Sequence, residues 1–362
     1  MKRILLASAL GLAATGAHAQ NVTLYGILDT GIEYVNHANA QGDATWRMPS
    51  NTGGLMPSRW GLRGTEDLGN GLKALFTLES GFGVDTGVSG QGGRLFGRAA
   101  WVGLSGNWGT VTLGRQSNMT FYALLDSDVM GPAVYGLGSL DNYIPNTRSD
   151  NAIGYRGTFS GLTVGATYSF GRDAAATGGP AATNCAGEVP GDRKACRQVT
   201  ALLKYDMGPG GIAAAYDQMR GGTGAAGGLS SSDTSDTRTL LNGYYRFGDL
   251  KIGGGWIGRI TRAATRSEAN LYYLGVTYAL SSAWTLDGQV ARLKNKTTDA
   301  RSTLATVRAT YSLSKRTAVY GLVGYMDNNK NANLSVSGGQ ALAGLPNGLN
   351  QTGVMLGMRH SF

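Results

Sequence analysis

Few side chains in this sequence could act as catalysts. Those that recur at a regular spacing are arginines and carboxylates. The three histidines, His18, His37 and His360, are scattered, with none of the clustering that zinc binding or imidazole acid–base chemistry needs. No G-x-S-x-G elbow is present. The glycine-rich stretch Gly221-Gly222-Thr223-Gly224 lacks the strand–helix setting of a dinucleotide fingerprint and reads as loop. No metal, cofactor or enzymatic activity is expected. What remains is Arg59 with Arg63, Lys73 with Glu79, Arg98, and Arg148 with Asp150 and Arg156. Permanent guanidinium and carboxylate charges act on ions by Coulomb attraction and repulsion, with no proton transfer required. Whether these groups share one space depends on the elements that carry them.

The chain has 362 residues, 42% of them apolar and only 15% charged, with a formal net charge of +9. Its content of Tyr, Val and Leu excludes a disordered chain, and its 58 glycines show no three-residue period. Lys2 and Arg3 precede an apolar run from Ile4 to Ala13, followed by Ala17-His18-Ala19. A basic start, a short apolar middle and small residues at the cut describe a secretory signal peptide over 1–19, so the mature chain starts at Gln20. The run is too short for a spanning helix of about 20 residues. Cys185 and Cys196 lie 11 apart in a polar stretch of an exported chain, which predicts a disulfide. Closing so short a loop contributes about 3 kcal/mol at most.

Elsewhere the dominant pattern is alternation with period two, the signature of strands with two unlike faces. In 306–313 the odd positions are apolar and the even ones polar; in the last segment Val354, Leu356, Met358, His360 and Phe362 share a face. Seven short turn-type connectors, among them Glu66-Asp67-Leu68-Gly69-Asn70, Phe159-Ser160-Gly161 and Phe247-Gly248-Asp249, alternate with eight long ones. The long ones lie near 36–57, 84–93, 117–147, 172–197, 221–235, 260–266, 296–300 and 329–349. Fifteen connections join 16 strands. An even number of roughly ten-residue strands, with short turns at one end and long loops at the other, predicts an all-β antiparallel transmembrane barrel over 20–362. It must close, because an open edge in lipid leaves backbone groups unpaired. Aromatics such as Tyr25, Tyr34, Trp101, Tyr205, Tyr244, Tyr278, Trp284, Tyr311, Tyr320 and Phe362 are expected to form girdles at the two membrane interfaces.

Strand parity then sorts the charges. If Trp60 and Leu62 face lipid, Arg59 and Arg63 face the lumen. If Ala74, Phe76 and Leu78 face lipid, Lys73 and Glu79 point inward. If Trp101 points out, Arg98 points in. Ile153 and Tyr155 outward put Arg148, Asp150 and Arg156 inside, and Asp29 lies on the polar parity of the first strand. A one-residue bulge would invert any of these assignments.

At this point the chain resembles the general diffusion porins of Gram-negative outer membranes, and most of all their β-proteobacterial branch. The resemblance covers essentially all of 20–362. It rests on the order and spacing of Val22-Thr23-Leu24-Tyr25-Gly26, Ser58-Arg59-Trp60-Gly61-Leu62-Arg63-Gly64-Thr65-Glu66-Asp67-Leu68-Gly69, Gly97-Arg98-Ala99-Ala100-Trp101-Val102-Gly103-Leu104, Thr112-Leu113-Gly114-Arg115-Gln116 and the strand ending in Phe362. It implies a homotrimer of 16-stranded barrels passing small hydrophilic solutes, with a third loop, about 117–147, folded into each lumen. It also implies that the terminal strand with Phe362 is read by the barrel-assembly machinery. Arg59, Arg98 and Arg148 resemble the family's wall arginines, Glu79 a wall acid beside them and Asp128 a loop acid, with Arg94 near enough to contribute. The family's second loop acid has no counterpart in Asp128-Val129-Met130-Gly131-Pro132-Ala133, and a wall lysine of the enteric branch falls on Ile27. The surplus of arginine implies a modest anion preference. A substrate-specific channel and an outer-membrane adhesin or structural protein are the alternative readings. Export argues against nucleic acid as a partner for the basic charge. Outer-membrane lipid, and lipopolysaccharide phosphates near the outer rim, suit it better.

Overall fold

The computed structural model describes residues 21–49, 52–174, 183–338 and 342–362; the expected signal peptide, 1–19, lies outside them. Sixteen strands form the barrel. They are β1 Asn21–Val35, β2 Arg59–Gly69, β3 Leu72–Gly81, β4 Ala99–Gly106, β5 Gly109–Ser117, β6 Ala152–Phe159, β7 Leu162–Ser169 and β8 Gln198–Met207, then β9 Gly210–Arg220, β10 Ser235–Phe247, β11 Leu250–Arg262, β12 Arg266–Ala279, β13 Trp284–Asn295, β14 Arg301–Ser312, β15 Thr317–Asn328 and β16 Gln351–Ser361. Each pairs antiparallel with its sequence neighbours, and β16 returns to β1 with His360 opposite Leu28 and Val354 opposite Tyr34. Two short segments, Thr45–Arg47 and Arg148–Ser149, add to the sheet at its loop end.

The turns show why the hairpins form. Asn70-Gly71 and Ser160-Gly161 both have positive φ at their two central positions, the two-residue turn whose twist matches that of the strands it joins. At the seam, Gly26 and Phe362 exchange backbone hydrogen bonds of 3.1 Å, and a Cβ on Gly26 would collide with the Phe362 ring. The last residue is thus seated on the first strand. One expected long connector is absent: β11 and β12 run on to Arg262 and Arg266, leaving only 263–265 between them. Polar residues in 260–266 look like loop in sequence but pair as strand, with Arg262 opposite Arg266.

The outward register is exposed and apolar. Leu356 is 68% exposed, Leu274 62% and Val307 61%. This is the surface a barrel presents to lipid. The buried apolar residues lie inside the cylinder. The segment after β5 begins with a helix, Met119–Leu124, whose start is capped by Asn118 accepting from the Thr120 amide. It then crosses the lumen and packs Met119, Leu124, Val134, Tyr135 and Leu137 against inward Leu202, Leu240, Ile257, Leu271, Tyr273, Leu322 and Met355. Tyr135 fits because inward Gly324 and Gly353 leave room. A Cβ on Gly353 would come within 2.5 Å of the Tyr135 hydroxyl oxygen, and one on Gly324 within 2.8 Å of its ring. Gly353→Val is therefore expected to unseat Tyr135. Thermal unfolding in detergent should show a loss of about 1–3 kcal/mol, the usual cost of overpacking.

Candidate functional site

The inward segment is fastened to one side of the barrel, strand after strand. The Met119 amide donates to Thr200 on β8, and Thr120 and Tyr143 both donate to Asp217 on β9. Arg238 on β10 holds Asp141 at 2.9 Å, and Ser127 bonds Tyr273 on β12 at 2.7 Å. The amides of Val129 and Met130 donate to Gln289 on β13. On β14, Arg308 is held by Asp287 at 2.8 Å and donates to the carbonyls of Gly54, Val129 and Met130. These strands carry buried inward residues because the loop covers them.

The arginines stand on the uncovered side. An opening of about 230 Å³ separates wall from loop. Arg59, Arg98 and Arg148 line it on one side, and Phe121, Leu124, Leu125, Asp128 and Pro132 on the other. Glu79 sits between two of the arginines. It accepts from Arg98 Nε at 2.7 Å, lies 3.6 Å from Arg59 Nε and accepts from the Tyr25 hydroxyl at 3.0 Å. Arg148 is buried and, among the described residues, donates only to the Pro145 carbonyl, with its Nε unpaired. Among the described residues it has no acid within ion-pair distance. Three wall cations thus stand beside one wall carboxylate, which pairs with two of them.

Asp128 faces them from the loop. Burial pushes its carboxyl up to about 6, against the downward pull of the Arg308 charge. Above that pH it is ionised and cancels one wall charge; below it, it is neutral.

Other expected residues lie elsewhere. Arg63 stacks over Tyr25, 5.2 Å from the ring centre, and Arg156 over Tyr122 at 3.9 Å, both inside the lumen. Lys73 shares the inward register of Glu79 near the turn end. Asp29 is inward but buried, accepting from Tyr320 and from the amides of Leu55 and Met56. Arg94 does not line the opening. It bridges Asp150 and Asp173 at the loop end, where Asp150 also takes Arg115. Cys185 and Cys196 are disulfide-bonded in the connection between β7 and β8.

Four aromatics expected at the membrane interfaces point inward: Tyr25 to Glu79, Tyr244 to Asp206, Tyr320 to Asp29, and Trp101. Trp101 stands opposite Thr77, itself opposite Arg63, while Val102 and Leu104 face out. Arg98 therefore reaches the lumen for a different reason from the one parity suggested. It precedes β4 at a break in the alternation, its amide bonded to the Glu79 carbonyl. Sequence reasoning missed Arg238, Asp287, Arg308 and the cluster of Lys204 with Asp126 and Asp206. Arg308 did carry a signal, since it sits on the polar parity of 306–313.

Known proteins with this chemistry and shape are close at hand. A family model described as Gram-negative porin matches residues 6–331. The chain is 34% identical over 376 residues to an outer membrane porin protein of Bordetella pertussis, covering 91% of this chain and 95% of that one. It is 34% identical over 381 residues to outer membrane porin protein 32 of Delftia acidovorans, with both chains covered in full. Among solved structures, an anion-selective porin from Comamonas acidovorans superposes with a TM-score of 0.76 at 30% identity, covering 95% of this chain and all of that one.

Proposed function

Because the chain belongs to the Gram-negative porin family, we propose that the opening between the arginine wall and the inward loop is the selectivity constriction of its pore. The protein is an outer-membrane porin, a closed barrel that lets small hydrophilic solutes and ions diffuse passively across the membrane. The finer reading is that its constriction prefers anions. The observation that carries it is the charge balance: Arg59, Arg98 and Arg148 against Glu79, with Arg148 uncompensated. The anion selectivity named for the Comamonas relative supports the same direction.

The magnitude follows from Coulomb's law. With Asp128 ionised, about one net positive charge remains. At about 7 Å in water it contributes roughly 0.6 kcal/mol to a monovalent ion, so exchanging cation for anion changes the energy by about 1.2 kcal/mol, or roughly eightfold. Salt screens it. This is a bias on diffusion, and a binding site for one solute is not required. Reversal potentials across a planar bilayer in a KCl gradient test it. The dilute compartment should become negative. A positive dilute compartment overturns the proposal.

Asp128 adds a pH dependence. Lowering the pH from 7.5 to 4.5 neutralises it and leaves the wall arginines less opposed. The anion preference should rise by up to roughly eightfold, with its midpoint near 6. Asp128→Asn should abolish that change and hold the channel in its low-pH state.

The same reading makes the working unit a homotrimer of catalytically inert channels. Residues 1–19 then serve as the export signal and about 117–147 as the constricting loop. Phe362, seated on Gly26, is the terminal signal for the assembly machinery.

A further inference from the structure

The opening beside the arginine wall has two unlike faces. Across from Arg59, Arg98 and Arg148 it is lined by the apolar side chains of Phe121, Leu125 and Pro132, and Asp128 is the one charged residue of that side among the described residues. Leu125 is 55% exposed. It stands inside the cylinder, so water and passing solutes cover it, and lipid does not. Its neighbours on the inward segment behave otherwise: Leu124, Met119, Val134 and Leu137 are all packed away.

One exposed apolar side chain is ordinary on any protein surface. This one belongs to a row, and the row faces permanent positive charge across about 230 Å³. The Phe121 ring is also held from behind. It packs edge-on against the Tyr122 ring, with centroids 5.4 Å apart, and the Arg156 guanidinium lies over Tyr122 at 3.9 Å. A hydrated inorganic anion gains nothing from such a row. Apolar walls with a few charged groups aimed in from one side are how proteins hold small organic ligands. The charged side is suited to a carboxylate, because a guanidinium offers it parallel N–H donors. Arg148 has no acid within ion-pair distance among the described residues, so its charge is open to a passing one.

We propose that the constriction preferentially retains monocarboxylates with an apolar body, an aromatic acid being the simplest. The carboxylate lies on the arginine wall and the ring on Phe121 and Leu125. This rests on the reading of the opening as the pore's constriction and adds to it a chemical class of solute. The advantage over a hydrophilic anion of equal charge comes from the ring alone. Moving one face of a benzene ring, roughly 50 Å² of apolar surface, out of water corresponds to about eightfold in occupancy. While such a solute sits in the opening, it interrupts the ion current.

The test is the conductance of the protein in planar bilayers in KCl at pH 7.5, with benzoate, threonate or benzamide added to both sides. Threonate carries the same charge on a hydroxylated body of similar bulk. Benzamide keeps the shape of benzoate without its charge. Benzoate should halve the current at a concentration about eightfold below that of threonate, and benzamide should leave the current unchanged at that concentration. Leu125→Asn alters an exposed position and should narrow the benzoate-to-threonate ratio to about threefold, as roughly half of the apolar contact is lost. Equal potency of benzoate and threonate, equal potency of benzoate and benzamide, or an eightfold ratio that survives Leu125→Asn overturns the proposal. A cation-selective reversal potential in KCl alone would instead sink the anion preference of the constriction, so the two failures are distinguishable.

Discussion

Replacing Arg148 with Gln should nearly abolish the anion preference. The reversal potential in a KCl gradient should fall close to zero, a change in permeability ratio of roughly eightfold. Arg148 is the cleanest of the three wall arginines to remove. Arg98 and Arg59 both lie against Glu79, so deleting either leaves that carboxylate less compensated and mixes two effects. Among the described residues, Arg148 has only the Pro145 carbonyl. Its charge acts on the opening without a fixed acid beside it, so Gln removes charge while keeping much of the volume. Arg98→Ala should likewise move the reversal potential toward the cation side, leaving Glu79 paired with Arg59 alone. If Arg148→Gln leaves selectivity at its wild-type value, the wall cluster does not set it.

The second large effect is expected at Arg308. This buried side chain is held by Asp287 and reaches three carbonyls on two separate inward segments, at Gly54 and at Val129 and Met130. Arg308→Met strands Asp287 and frees the loop tip. Removing one partner of a buried ion pair costs about 3–5 kcal/mol. Single-channel records should show larger and noisier conductance, and the thermal midpoint should drop. Adding Asp287→Leu removes the stranded carboxylate and should restore part of the midpoint. It should leave the conductance noisy, because the loop carbonyls still lack their donor. A quiet, wild-type conductance in Arg308→Met would show that the loop is held by other contacts.

Much of the barrel is legible in sequence because its outward face meets one uniform solvent. Val354, Leu356 and Met358 alternate plainly, and the structure exposes all three on that face. The inward face is harder to read because it meets two environments. Where it meets water, polar residues mark it, as at Arg59 and Glu79. Where it meets the folded-in loop, it carries Leu240, Ile257, Leu271 and Leu322. Both parities are then apolar and the alternation fades. The inward aromatics have the same origin. Tyr25 and Tyr320 point inside, where their hydroxyls reach the inward carboxylates Glu79 and Asp29, partners that no local pattern announces. Arg98 shows the limit of parity from the other side, since a break before β4 places it inside while the neighbouring Trp101 is inside as well. The acids that fasten the loop, Asp217 and Asp287, look like any other inward polar residue. Their role exists only once the loop lies against them.

The account turns on where a permeating anion spends its time. Anomalous diffraction from crystals soaked separately in bromide and in rubidium would locate it directly. The strongest bromide peak should lie in the opening between Arg59, Arg98 and Arg148, with no rubidium there. Rubidium occupying that opening while bromide is found elsewhere would contradict it.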